Sequence, residues 1–152
     1  MNGYDPQKAA RVWQRVQESK PEAKQNPMED LEELIFNAEI AAGIYGQLAR
    51  RMPKEAPLLQ KLSREKQQHR NALRGIWELV NGGKCPVHRP TEIKDPTDRL
   101  LRRCYGQSLR SLKAYEGKRE DPEYGHVFRK LAEQEREHGV AVLDLIGRLE
   151  RK

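Results

Sequence analysis

The sequence predicts an all-α protein, a four-helix bundle built from two antiparallel helical hairpins with one long crossover between them. Three observations carry this expectation. Proline and glycine punctuate the chain at helix-length intervals, the apolar residues between them recur with a helical period, and a nine-residue stretch of the first hairpin returns in the second. The 152 residues, 36% hydrophobic and 34% charged, supply one compact core but hardly two.

The elements follow in order. An amphipathic segment from about Pro6 to Ser19 places Ala9, Val12, Trp13 and Val16 on one face, and Lys20 to Gln25 is a polar linker. Residues 1–27 are thus an N-terminal helix and linker, and residues 28–152 are the bundle, within a single domain overall. Asn26-Pro27-Met28-Glu29 offers an N-cap, a proline at the first helical position and a first-turn carboxylate, opening a helix that runs to about Arg51, before Pro53. Its apolar seam is Leu31, Ile35, Ala38, Ala42, Tyr45 and Leu48. Pro57 opens a second helix that reaches about Val80 and ends at Asn81-Gly82-Gly83, with Leu59, Leu62, Leu73, Ile76 and Val80 as its seam. Asp95-Pro96-Thr97-Asp98 caps a third helix that ends near Glu116, with Leu101, Cys104, Ser108, Leu112 and Tyr115. Asp121-Pro122 opens a fourth that continues nearly to the C-terminus, with Phe128, Leu131, Val142, Leu145 and Leu149.

Connection lengths set the topology. The first and third breaks are short and force antiparallel neighbours, whereas Asn81 to Asp95 is a long linker. At ~3.3 Å per residue it spans about 50 Å, longer than a helix of twenty-odd residues rising ~1.5 Å each, so it can return along the whole bundle.

The repeat is ungapped. Lys61-Leu62-Ser63-Arg64-Glu65-Lys66-Gln67-Gln68-His69 aligns on Lys130-Leu131-Ala132-Glu133-Gln134-Glu135-Arg136-Glu137-His138, and Tyr45 with Tyr115, and Pro53 with Pro122, keep nearly the same offset. The chain reads as two hairpins of one design.

Polar residues in the middle of an apolar seam are expensive unless paired or ligating, so the interruptions carry the functional information. Glu135 and His138 lie one turn apart on the seam of the fourth helix, a spacing at which a carboxylate and an imidazole face one point. The repeat-equivalent positions on the second helix are Lys66 and His69.

With these residues in place the chain resembles the ferritin-like superfamily, specifically its rubrerythrin-type di-iron domain, over roughly residues 28 to 150. In that family a glutamate stands about two turns before a tyrosine on the first and third helices, and a Glu-x-x-His lies on the second and fourth. Glu135-x-x-His138 matches in full, and His69 matches half of the second motif. Lys66 stands at the other glutamate position, and Ala38 and Ser108 stand at the two single-glutamate positions. The Cys-x-x-Cys pairs of a rubredoxin-like tail are absent from the chain. The resemblance implies a homodimer as the oligomeric expectation.

Two readings stay open. In one, the ammonium of Lys66 neutralises Glu135 where metal would stand, no cofactor is bound, and the protein is a non-catalytic scaffold or interaction protein. In the other, Glu39 and Glu65, each about 100° off the seam centre, turn inward to join Glu135, His138 and His69 around iron or another divalent metal, for peroxide or iron handling. Tyr45 and Tyr115 read as core aromatics.

Composition excludes several other classes. No run approaches the ~18 apolar residues of a spanning helix and the opening MNGYDPQKAARVW has no signal-peptide core, so a cytoplasmic protein without a membrane partner is expected. Cys85 and Cys104 are too few for a disulfide framework, and Cys85-Pro86-Val87-His88 has only His126 as a further donor, which leaves it as part of the crossover rather than a zinc site. A net charge of +6 from 29 basic and 23 acidic residues is a mild excess. The stripe Arg99, Arg102, Arg103, Arg110 and Lys113 has no interleaved aromatic platform, so it reads as a solvated face and nucleic acid is not an expected partner.

Overall fold

A computed structural model of the chain describes residues 28–89 and 91–151. The chain divides into two units, Met1–Asp30 and Leu31–Lys152. The architecture below is that of the second; the expected helix from Pro6 to Ser19, its linker, and the Asn26-Pro27 cap lie outside the described residues.

Four α-helices make up this unit: α1 Leu31–Arg51, α2 Ala56–Asn81, α3 Thr97–Glu116 and α4 Gly125–Glu150, with a single 3-10 turn at Pro53–Glu55. No strand occurs among the described residues. The ends of α1 suit its dipole, with Glu32 and Glu33 in the first turn and Arg50 and Arg51 in the last. At the end of α2, Gly82 adopts φ 74° and its N–H donates to the Glu78 carbonyl, the left-handed cap that only glycine takes without a Cβ penalty.

Three helix starts differ from the proline-based expectation. Residues 28–30 form a turn, and α1 begins at Leu31. Asp95 does not cap α3; its carbonyl accepts from Arg51 Nη1 at 2.8 Å, and Pro96 precedes the helix with no side-chain cap. Asp121 closes a turn of its own, its Oδ2 accepting from the backbone N–H groups of Glu123 (3.1 Å) and Tyr124 (2.7 Å). The helix therefore starts at Gly125, three residues past Pro122, because the aspartate satisfies the turn's amides and not the helix's. A proline marks a break in the chain, and its fixed φ fits a turn as well as a first helical residue.

The helices pack as α1 on α2 and α3 on α4, with α1 also meeting α3 and α2 meeting α4. Each neighbour is antiparallel. Glu55, at the start of α2, accepts from Arg148 Nη1 at the end of α4 with both oxygens, at 3.0 and 3.1 Å, and Arg51, at the end of α1, reaches Asp95 at the start of α3. The crossover between α2 and α3 lies along α1. His88 meets the Phe36 ring edge-on at 5.3 Å, Ile93 exchanges two 2.8 Å hydrogen bonds with the Gln47 amide, and Asp95 meets Arg51. Fifteen helical residues from Phe36 to Arg51 rise about 22 Å, and seven extended residues from His88 to Asp95 cover about 23 Å, so linker and helix keep pace.

The predicted seams are buried almost throughout, with Tyr45, Leu48, Leu59, Leu73, Leu101, Phe128 and Val142 at 0% exposure. Val80 departs from its seam at 46% exposed, in the last turn of α2 beyond which Gly82 turns the chain away, and Leu112 and Leu149 are half-buried. No helix among the described residues is long and apolar enough to cross a membrane.

Gly125 is required by space. A Cβ there would stand 2.4 Å from the Arg119 carbonyl oxygen, a backbone atom of the turn that feeds α4, whereas a Cβ at Gly46 or Gly75 meets nothing within 4 Å. Gly125→Ala is expected to cost about 1–3 kcal/mol by overpacking. Gly75→Ala is expected to be neutral or stabilising by up to ~1 kcal/mol. Urea denaturation of the two variants beside the parent checks both signs.

Candidate functional site

The interrupted seams meet where the repeat requires. α2 presents Leu62, Lys66, His69 and Leu73 along one face, α4 presents Leu131, Glu135, His138 and Val142, and all of these side chains are buried. Packed antiparallel, the two helices set His69 beside Gln134 and Glu135, and Glu65 beside His138, so a pseudo-two-fold axis relates Lys66 to Glu135 and His69 to His138.

Lys66 Nζ forms an ion pair and hydrogen bond with Glu135 Oε2, and its second partner is Gln107 Oε1 of α3 at 3.1 Å. The lysine is 1% exposed and the glutamate side chain 0%, which makes this a charge pair removed from water. His69 Nδ1 lies 3.1 Å from the same Oε2, and its Nε2 lies 2.8 Å from Gln134 Oε1. His138 Nε2 donates to Glu65 Oε1 at 2.8 Å, leaving Nδ1 3.8 Å from Glu135 Oε1. The imidazoles stack with centroids 5.3 Å apart and planes 16° from parallel.

The arrangement is symmetric to a degree the side chains' chemistry does not demand. Glu65 of α2 holds the histidine of α4 from outside, and Gln134 of α4, its repeat mate, holds the histidine of α2. Lys66 and Glu135 are the buried pair at which the two halves carry opposite charges.

Electrostatics follow from the packing. Burial alone would raise the Glu135 pKa, but the Lys66 charge, the His69 hydrogen bond and His138 outweigh it and bring the carboxyl down to about 2. Burial lowers the His138 pKa against the pull of Glu135, and the Lys66 charge adds to the lowering. Beside this cluster, burial pushes the Cys104 thiol up to about 12 and the Tyr45 phenol well above its ordinary value. Neither a thiolate nor a phenolate is on offer near neutral pH. Tyr45 OH has Ser108 and Cys104 beside it, and Glu135 Oε1 and His138 Nδ1 are buried without a hydrogen-bond partner among the described residues.

His69, Glu135 and His138 each offer one ligand atom, and these lie within 4.8 Å of one another, a cluster that could hold a metal ion. Glu39 is not brought to it. α1 presents Ala38 to the seam, and Glu39, one residue round the helix, accepts from Arg70 Nη1 at 3.1 Å to each carboxylate oxygen. Glu65 does reach the site, from its edge and as the partner of His138. Gln107 and Gln134 interrupt no predicted seam, and the only sequence signal for Gln134 is that it is the repeat mate of Glu65. The Cys85-Pro86-Val87-His88 segment forms no metal-type cluster among the described residues: Cys85 is a buried free thiol and His88 packs on Phe36.

No protein-family model, curated protein or solved structure matches this chain.

Two outcomes follow from the geometry. Lys66→Met leaves Glu135 charged, buried and without its cation, and is expected to cost about 3–5 kcal/mol; Lys66→Met combined with Glu135→Gln is expected to recover most of that loss, as a double-mutant cycle in urea would show. The pH dependence has a definite sign. His138, depressed from its ordinary value of 6.5, contributes stability that is complete above that pH and is lost as pH falls below it. Glu135 contributes stability complete above the ordinary 4.5 and lost as pH falls towards 2. Urea midpoints are expected to decline from about pH 6.5 downward, and His138→Gln, which retains a donor for Glu65, is expected to flatten the upper part of that decline.

Proposed function

We propose that this chain is a ferritin-like bundle of the rubrerythrin kind in which the Lys66–Glu135 ion pair stands in place of a metal centre, and that it acts as a non-catalytic scaffold or interaction protein. The observation that carries the reading is the ammonium of Lys66 seated on Glu135, the one buried carboxylate among the described residues. The connectivity supports it: two antiparallel hairpins joined by a crossover that runs the length of α1 is the one-crossover arrangement of ferritin-like folds.

The donor set does not fit two irons. A di-iron site of this type takes about four carboxylates and two histidines. Here Ala38 and Ser108 carry no carboxylate, Glu39 is committed to Arg70, and Lys66 brings a positive charge to the remaining position. The Cys104 thiol and the Tyr45 phenol beside the cluster are held protonated, so neither offers an ionised nucleophile.

A second reading has its own support. Glu135 Oε1 and His138 Nδ1, both acceptors when the glutamate is ionised and Nε2 carries the ring proton, face each other without partners, and with His69 they offer one divalent ion three ligand atoms. Such an ion would supply Lewis-acid or redox chemistry, and Glu65 and Gln134 would orient the two imidazoles. It requires Lys66 to leave Glu135.

Anaerobic loading of the chelator-free protein with ferrous iron, followed by elemental analysis beside His138→Ala, separates the readings. Background metal in both proteins is the expected result. About one ion per chain, lost in His138→Ala, establishes the second reading, and about two overturns the first outright.

A further inference from the structure

The two hairpins share one design but not one surface. Along the first, α1, α2 and the crossover line a groove of about 390 Å³, within the size range of small-molecule sites. Its counterpart on the second hairpin, between α3 and α4, measures about 160 Å³. The correspondence holds residue by residue. At the offsets of the repeat, Ala42, Gln67 and Arg70 of the first groove stand where Leu112, Arg136 and Gly139 stand in the second.

The difference in size has a local cause. Gly46 of α1 is the repeat mate of Glu116, and Gln67 of α2 is that of Arg136. In the second hairpin Glu116 and Arg136 form an ion pair across α3 and α4. In the first, a Cβ at Gly46 would meet nothing within 4 Å, and the Gln67 amide lies back along its own helix, 3.5 Å from Ser63 Oγ. The bridge that spans one hairpin is missing from the other.

Floor and rim of the open groove differ in character. The floor is fixed: Ser63 Oγ donates to the Ala42 carbonyl at 2.9 Å, and the Gln47 amide is locked to Ile93 by its two hydrogen bonds, so both buried polar side chains are held in place. The rim is charged. Past Gly46, Arg50 and Ser63 the groove continues into a stretch that Gln60 and Arg64 line, and Arg50 and Arg64 are its only charged residues among those described. Both are exposed, and neither has a carboxylate partner among the described residues. The acidic residues of the groove, Glu39 and Glu92, line only the part beside the crossover, and Glu39 is held by Arg70. The second hairpin carries Glu133 at the position of Arg64.

Exposed arginines are ordinary on a surface, but two unpaired guanidinium groups beside a helix surface cleared by a glycine form a receiver for oxyanions. Guanidinium nitrogens match the oxygens of a carboxylate or a phosphate two at a time, and each such bond is charge-assisted. We propose that the α1–α2 groove binds a small anion bearing phosphate or carboxylate groups, with its charged end between Arg50 and Arg64 over Gly46 and its body along Gln67 towards the crossover. The site is separate from the bundle centre, so metal content bears on Lys66 and anion binding bears on this groove.

Isothermal titration calorimetry of the full chain at low salt, with inorganic pyrophosphate and separately with citrate, tests it, and circular dichroism verifies that each variant keeps its helix content. Saturable binding of one ion per chain is expected for at least one of the two, and the tighter one assigns phosphate or carboxylate. Arg50→Gln with Arg64→Gln is expected to weaken that binding about tenfold or more. Gly46→Leu keeps both arginines and fills the floor, and is expected to weaken it as much. Arg110→Gln with Lys113→Gln removes the same charge from α3 and is expected to leave binding unchanged. Failure of both ions to bind saturably, binding indifferent to Gly46→Leu or to loss of the two arginines, or an equal loss from the α3 pair would overturn the proposal.

Discussion

The constraint on which the rest of the structure depends is a full positive charge placed in the middle of a helical bundle. Lys66 is among the largest fully buried side chains of the protein. An ammonium withdrawn from water incurs a penalty of several kcal/mol unless a carboxylate meets it and its remaining N–H groups find acceptors. Glu135 and Gln107 meet these needs from α4 and α3. A lysine on α2 thus fixes what two other helices present at its level. The two histidines complete the balance from above, one bonded to Glu135 and the other stacked on the first.

Much of this was legible in the sequence, and the reason is the repeat. Periodicity placed Leu62, Leu73, Leu131 and Val142 on seams, and the ungapped alignment said that the interruptions of those seams, Lys66 with His69 and Glu135 with His138, occupy equivalent levels. Antiparallel packing brings these interruptions together because the pseudo-two-fold axis crosses the two helices at their level. Other features were not legible, each for a physical reason. A proline looks the same in sequence whether it begins a helix or a turn, so Pro122 points to a helix start three residues ahead of the observed one at Gly125. Glu39 could be assigned an angle on its helix but not a partner, and the partner that captured it, Arg70, comes from another helix. The requirement at Gly125 arises from the carbonyl of Arg119 crossing the helix start, a tertiary contact no local pattern encodes.

The crossover contributes more than connectivity. Its backbone runs beside α1 at about twice the helical rise per residue, so it fastens to α1 at widely spaced points. Gln47 is the most specific of these, since its amide both donates to and accepts from Ile93, and the amide is itself buried. The linker's hold on α1, the Arg148–Glu55 pair and the Arg51–Asp95 contact together join the two hairpins away from the centre. The central cluster is thereby relieved of joining the halves by itself.

Whether a buried ion pair stabilises a fold is a separate matter from whether it specifies one. A pair such as Lys66–Glu135 gains little over well-packed apolar residues of the same volume, because desolvation consumes most of the Coulomb energy. What the pair does supply is discrimination. Two hairpins of one design share their apolar seams, so slipping α2 against α4 by a turn would still set leucine against leucine. It would also leave an ammonium and a carboxylate buried apart, a far larger cost than any loss of packing in the slipped state. The same reasoning separates the residues that could have been otherwise from those that could not. Either histidine alone could be an ordinary core residue, satisfied by its outer partner on the opposite helix. Lys66 and Glu135 are intelligible only together, since each is the reason the other can be there.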